Sequence, residues 1–214
     1  MEKNQALISE IFRDYENSVA KIVLYSFTEF PFLLRVKRII DFLKGNRNAF
    51  AVNNELNLLS TFSSLPGYTR DQLSDIIDAF INSGLLEVEM IKEEDEEFPV
   101  IRITDNGLKV VSGDINQPVG ILDILMDLDN PDIPEEDQDL YYKLKLARRQ
   151  LAEEDDYPAY MVCSDDVLKD MCLRKPMEAD DLLKIYGVDM AFLKHYSKQF
   201  LYVIRQYVTR EKGS

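Results

Sequence analysis

The chain has 214 residues, 46% hydrophobic and 10% aromatic, and a formal net charge of −14 from 25 lysines and arginines against 39 acids. That length suits one large domain or two small ones, and no stretch reaches the roughly 18 consecutive apolar residues of a membrane span. The acidic balance excludes a surface that holds nucleic acid by overall charge, because that affinity comes from neutralised phosphates and needs clustered basic groups.

The N-terminus, "MEKNQALISEIFRDYENS", has acids inside it and no apolar core, so it does not read as a signal peptide. A cytoplasmic location is expected, with no membrane partner. Residues 1–19 are expected to form a helical extension. Residues 20–43 predict two helices interrupted at Pro31, the second carrying Val36, Ile39, Ile40 and Leu43 at helical spacing and stopped by Gly45. Pro66-Gly67 marks a turn, and Thr69 with Gln72 is a capping-box signature. The helix it starts, Arg70 to Asn82, should bury Leu73, Ile76, Ile77 and Phe80 and turn Asp71, Asp75 and Asp78 outward. "LLEVEMI" and "FPVIRIT" read as a hairpin with the charged tip "KEEDEE". "TDNGLKVVSG" is expected to close the unit as a short turn. Helices followed by a two-stranded hairpin predict a winged helix over residues 20–113.

Residues 114–139, acid-rich and interrupted by Pro118, Pro131 and Pro134, read as a linker. Its apolar run Ile121–Leu128 is a candidate for docking on a neighbouring element. Leu140, Leu144, Ala147 and Leu151 then share a helical face. Ser164 or Asp165 is placed to cap a helix over Val167–Leu173. A final helix shows Leu193, Tyr196, Phe200, Val203 and Tyr207 in steps of three and four. Residues 140–210 thus predict an all-α bundle, and the fold class is mainly α: a winged helix, then a helical bundle.

The residue types argue against catalysis in this chain. Cys163 and Cys172 lack the clustered histidines that would complete a tetrahedral zinc site, and read as buried thiols. His195, the single histidine, has no nucleophile or acid–base partner at a recognisable spacing. The pairs Asp155-Asp156, Asp165-Asp166 and Asp180-Asp181 read as helix caps and solvated faces, since adjacent carboxylates point apart. No G-x-x-x-x-G-K-[ST] loop occurs. No catalytic residue, metal or cofactor is expected.

Basic groups gather in three places. Arg35, Lys37, Arg38, Lys44 and Arg47 lie within thirteen residues, a density that suits phosphate contact. Lys145, Arg148 and Arg149 are expected on the face opposite Leu144 and Leu151. Lys194 and Lys198 are four apart on the expected last helix, and Tyr160 is placed to stack on an unpaired base, a contact of ~1–3 kcal/mol. Solvated helix faces, and a tyrosine packed on the bundle edge, account for the same residues without a ligand.

The second half resembles the HRDC domain through "LARRQLAEEDDYPAYMVCSDDVLKDMCLRKPMEADDLLKIYGVDMAFLKHYSKQFLYVI": a basic-flanked helix, a Pro-x-Tyr loop, a Ser-Asp cap and an Ile-x-Gly-Val turn. The first half resembles the RQC winged helix through "VKRIIDFLKGN" and "LSDIIDAFINSGLLEV…IRITDNGLKVVSG". In this order the two resemble the C-terminal region of RecQ-family DNA helicases, over roughly residues 20–112 and 139–208. The resemblance implies an accessory region that binds single-stranded, forked or branched DNA beside an ATP-driven motor, in cis or in trans, in DNA repair and recombination. Neither the motor's phosphate loop nor the family's four-cysteine zinc module occurs in the sequence, so a helicase fragment or a stand-alone accessory protein is expected. Three departures favour weak DNA binding. Val188-Asp189 stands where many HRDC domains have a second glycine, Met190, Ala191 and Phe192 stand where basic residues are common, and the wing tip has five acids in six residues. They leave open an alternative, a protein-interaction module with helicase-derived folds that has lost most of its DNA affinity.

Overall fold

The structure, a computed structural model, describes residues 2–93, 96–115, 121 and 132–211, with side chains between Asp14 and Arg210. It divides into two compact units, Met1–Asp127 and Leu128–Ser214.

The first unit opens with helix α1 (Glu2–Glu29), and the boundary expected between residues 19 and 20 falls inside it. Val19, Ala20, Val23, Leu24 and Phe27 form its buried stripe. After Pro31 the chain extends, and Leu34 forms one antiparallel bridge to Ile101, with Ile101 N donating to Leu34 O at 3.0 Å. Helix α2 (Val36–Lys44) ends at Gly45, whose φ of +79° is the left-handed conformation that suits glycine. Helix α3 (Ala49–Asn53) is capped by Asn48, whose side chain accepts from Ala51 N at 3.0 Å. Helix α4 (Arg70–Asn82) carries the expected capping box, both bonds formed: Thr69 N to Gln72 Oε1 at 3.0 Å and Gln72 N to Thr69 Oγ1 at 3.1 Å. Leu73, Ile76, Ile77 and Phe80 are buried as the spacing predicts. Asp78 is not outward as expected. It is 5% exposed, and Asp71 and Asp75 are half-buried, because α4 is covered over a wider arc than its apolar stripe.

Strands β1 (Leu86–Glu93) and β2 (Glu96–Ile103) pair antiparallel from Leu86↔Ile103 to Glu93↔Glu96. The ladder thus runs further into the charged segment than the hydrophobic pattern indicates. The segment read as a closing turn is an eight-residue helix, α5 (Asp105–Ser112). Thr104 Oγ1 caps it by accepting from Gly107 N at 3.1 Å, and the same hydroxyl donates to Gly84 O at 2.7 Å. The helix sits so close to the start of β1 that a Cβ at Gly107 would lie 2.3 Å from Leu85 O. Of the apolar run Ile121–Leu128, only Ile121 is described, and it is buried in this unit's core. Edge-on contacts Phe27–Phe30, Phe30–Phe42 and Phe42–Phe62, at 5.5, 4.9 and 5.6 Å, run through that core.

Two carboxylates fix the loops between helices. Asp41, 7% exposed, accepts from Asn46 Nδ2 at 3.0 Å and from Arg70, with Asn48 Nδ2 at 3.4 Å. Glu29, at the end of α1, accepts from the backbone N–H and hydroxyl groups of Ser60 and Thr61. Burial opposes its charge, but these four bonds outweigh that and hold the carboxyl below its usual range.

The second unit comprises a short 3-10 turn at Glu135–Asp137 and six helices among the described residues: α6 (Gln138–Asp155), α7 (Ala159–Val162), α8 (Asp165–Arg174), α9 (Ala179–Leu182), α10 (Met190–His195) and α11 (Ser197–Glu211). Ile133, within the expected linker, is buried in this unit's core. Ser164, rather than Asp165, caps α8, accepting from Val167 N at 3.4 Å. The expected single last helix is two, broken at Tyr196 (φ −121°, ψ −20°). Tyr196 Oη donates to Asp155 Oδ2 at 3.1 Å, and its ring meets Phe192 edge-on at 5.7 Å. Either side of the break the buried hydrophobic residues are Phe192, Phe200, Leu201, Ile204 and Tyr207, while Leu193, Tyr196 and Val203 are half-buried. The architecture is a winged helix followed by an all-α bundle. Among the described residues, no helix is long and apolar enough to cross a membrane.

Candidate nucleic-acid interface

The first basic cluster is organised by aromatic rings. Leu34, pinned to Ile101, draws Arg35 alongside β2, where its guanidinium carbon lies 3.9 Å from the centroid of the Phe98 ring. Arg38, one helical turn on, lies 4.2 Å over Phe50 of α3, and Phe50 meets Phe32 edge-on at 6.2 Å. Phe32 is 42% exposed. The Asn48 cap of α3 also reaches toward Asp41, so α2 and α3 are tied at the point where Phe50 meets Arg38. A cation stacked on a ring gains about 0.5–1 kcal/mol at an exposed site. Stacking fixes the plane in which a guanidinium presents its N–H donors, which a lysine cannot do. Lys37 and Arg47 are exposed. Lys44 donates to Tyr68 O and is engaged within the fold.

The two arginines on α4 and β2 are neutralised within the fold. Arg70, the base on α4, is paired with Asp41. Arg102 of β2 pairs with Glu87 at 2.6 Å and lies 3.7 Å from Glu89. Glu93, Glu96 and Glu97 are exposed on the hairpin, and the tip residues 94–95 lie outside the described residues. Arg35, Lys37, Arg38 and Arg47 thus form a cluster on α2 and the loops either side of it. Direct reading of a major groove by α4 has no basic side chain to serve it.

In the second unit the expected basic patch is corrected. Arg148 is 5% exposed and Arg149 9%. Arg148 donates to Cys163 O at 3.0 Å and pairs with Asp165 at 2.7 Å. The reason lies in helix geometry: residue 148 is four on from Leu144, which puts it on the buried face rather than opposite it. Lys145 and Tyr160 are half-buried and engaged with neighbours. Lys194 and Lys198 are exposed but belong to α10 and α11, either side of the break at Tyr196. Asp189 caps α10, its Oδ1 accepting from Phe192 N at 2.7 Å, so its charge is directed at the helix N-terminus. Of the acidic pairs, Asp165 meets Arg148 and Asp181 meets Lys184 at 2.7 Å. His195 is exposed. Both cysteines are buried, and burial pushes Cys163 up to about 12 and Cys172 up to about 11. Among the described residues no group of His, Cys, Asp and Glu is arranged to hold a metal.

Phe32, Phe50 and Phe98 carry no local sequence signal for this role, because each meets its partner only through the tertiary fold.

Fold and surface together define a two-module chain, a winged helix with a cluster of cations on and around α2 and a bundle in which Arg148 and Arg149 are drawn inward. Residues 34–119 match the RQC domain family and residues 137–204 the HRDC domain family. Curated proteins named ATP-dependent DNA helicase RecQ are similar to the chain. That of Bacillus subtilis (strain 168) is 28% identical over 169 residues, covering 79% of this chain and 27% of that protein. That of Pasteurella multocida (strain Pm70) is 24% identical, covering 80% and 27%, and that of Haemophilus influenzae is 22% identical, covering 79% and 28%. The chain thus matches an RQC domain followed by an HRDC domain, and spans about a quarter of the length of the RecQ helicases it resembles.

Proposed function

We propose that the chain is a nucleic-acid-binding accessory region of a RecQ-like DNA helicase, acting in the cytoplasm. It would position a motor, in cis or in trans, on single-stranded, forked or branched DNA. The contacts are to the phosphate backbone and to shape, not to base edges in a groove, and the chain itself needs no cofactor. The observation that supports this most directly is the pair of stacked arginines: Arg35 on Phe98 and Arg38 on Phe50 hold two planar cations one turn apart. The −14 charge keeps the affinity low and makes it sensitive to salt. The second reading, a protein-interaction module, is favoured by the exposed acids of the hairpin beside an Arg102 that is already paired.

Fluorescence anisotropy with forked, single-stranded and duplex DNA across a salt series separates the two. Binding that weakens steeply with salt is expected, and Arg35→Glu with Arg38→Glu should lower affinity at least tenfold and reduce the salt slope by about two. Absence of binding at low salt would sink the DNA reading, and an unchanged affinity in the double variant would sink the α2 surface as its site.

A further inference from the structure

The turn between α9 and α10 holds one side chain out in water. Leu182 and Ile185 are buried in the bundle, and Val188 N donates to Ile185 O at 3.1 Å to close the turn. Gly187, its third residue, has a φ of +93°, and a Cβ there would lie 2.9 Å from Val167 Cγ2 on α8. Glycine suits the position on both counts. The turn is thus seated against the bundle, and Tyr186, between Ile185 and Gly187, is 95% exposed. Met190, the first residue of α10, is 70% exposed, and Leu183, just after α9, is 39% exposed. Single exposed apolar residues are ordinary, but a group of large ones on one short segment marks an interaction surface. The charges around the turn are weighted to acids. Lys184 pairs with Asp181 at 2.7 Å and Arg205 with Glu178 at 3.1 Å, so both cations are matched. Asp166, Asp180 and Asp189 are exposed beyond those pairs, against Lys194. The −14 charge of the chain adds a field of the same sign.

We propose that this turn docks a protein partner through a basic segment whose lysines and arginines are interspersed with apolar residues. The proposal rests on the protein-interaction reading above, gives it a place and a class of partner, and does not draw on the α2 surface. A tyrosine already held by its backbone loses little freedom on docking, and such residues sit at the energetic centres of interfaces. Methionine adapts to the shape it meets. A lysine or arginine of the partner is suited both to the face of the Tyr186 ring and to Asp180. Phosphate would meet the same carboxylates unfavourably, which turns this surface away from nucleic acid.

The test selects a random peptide library, displayed on phage, on the full chain. Enriched peptides should combine aromatic or aliphatic residues with lysine or arginine. Synthesised with a fluorescent label, they should bind at physiological salt and lose at least about tenfold in affinity to Tyr186→Ala with Met190→Ala. Asp180→Lys, at an exposed position, should weaken them about threefold, and more at low salt. Enrichment of acidic or uncharged peptides, or binding that survives the double variant, overturns the turn as the docking site. Peptides that instead lose affinity to Glu96→Lys with Glu97→Lys overturn it too, and leave the protein-interaction reading standing at the hairpin. A dimer of the chain that the double variant abolishes, or oligonucleotide binding that it weakens, gives the turn another occupant and overturns the proposal. An empty selection overturns both the turn and the protein-interaction reading.

Discussion

Helices α2 and α6 look alike in the sequence, each with arginines inside an amphipathic pattern, yet they use them oppositely. On α2, Arg35 and Arg38 lie across phenylalanine rings at a half-buried surface. On α6, Arg148 is turned into the bundle, where a carbonyl and a carboxylate satisfy it. The difference follows from position relative to the apolar stripe. Arg35 precedes the first turn of α2, and Arg38 comes just before the buried pair Ile39 and Ile40. Arg148 continues the buried row of Leu140, Leu144 and Ala147. A count of cations along a chain is therefore no measure of the charge its surface shows.

The largest test of this contrast is Arg148→Ala. It leaves the Cys163 carbonyl without its donor and Asp165 without its partner, and should destabilise the bundle by about 2–3 kcal/mol in chemical denaturation. Asp165 is 49% exposed, which keeps the loss below that of a fully buried pair. A change under about 0.5 kcal/mol would mean that the burial of Arg148 is incidental. Asp41→Ala sharpens the comparison from the α2 side, since Asp41 is that helix's own buried charge. Its side chain is 10% exposed against 6% for Arg148, so about 1–2 kcal/mol is expected, less than for Arg148. A larger loss than at Arg148 would reverse the ranking.

The smallest effect concerns pH. Glu29 has a folded-state pKa below its unfolded value of 4.5, so its contribution is fully present above that pH and is lost as pH falls through the lower folded value. Glu29→Gln should therefore flatten the fall in stability on acidification below about pH 4.5 and leave the fall unchanged above it. Denaturation midpoints across that window read the difference, and identical acid limbs for the two proteins would refute it.

Local signals in the sequence predicted local structure well. Pro31, Gly45 and the Thr69–Gln72 box mark breaks and starts that the backbone follows, because each acts within one turn. Thr104 is a cap signal of the same kind, and the Gly107 three residues on is demanded by the approach of Leu85, not by a turn. Asp78 and Arg148 are buried although polar, because burial follows the angle around the helix and not the polarity of the residue. The break at Tyr196 and the stacks on Phe98 and Phe50 rest on contacts between residues distant in the chain, which no window of periodicity contains. The order of the modules is legible in the sequence; the rings beneath Arg35 and Arg38 are not.

The buried thiols carry a practical consequence. With burial pushing them to about 12 and about 11, Cys163 and Cys172 are almost wholly protonated at neutral pH. Their thiolate fraction is at least a hundredfold, on the order of a thousandfold for Cys163, below that of an ordinary cysteine. The native chain is thus a nearly silent background for thiol-directed dyes, and a cysteine introduced at an exposed position such as Lys37 or Lys198 would take up a fluorophore alone.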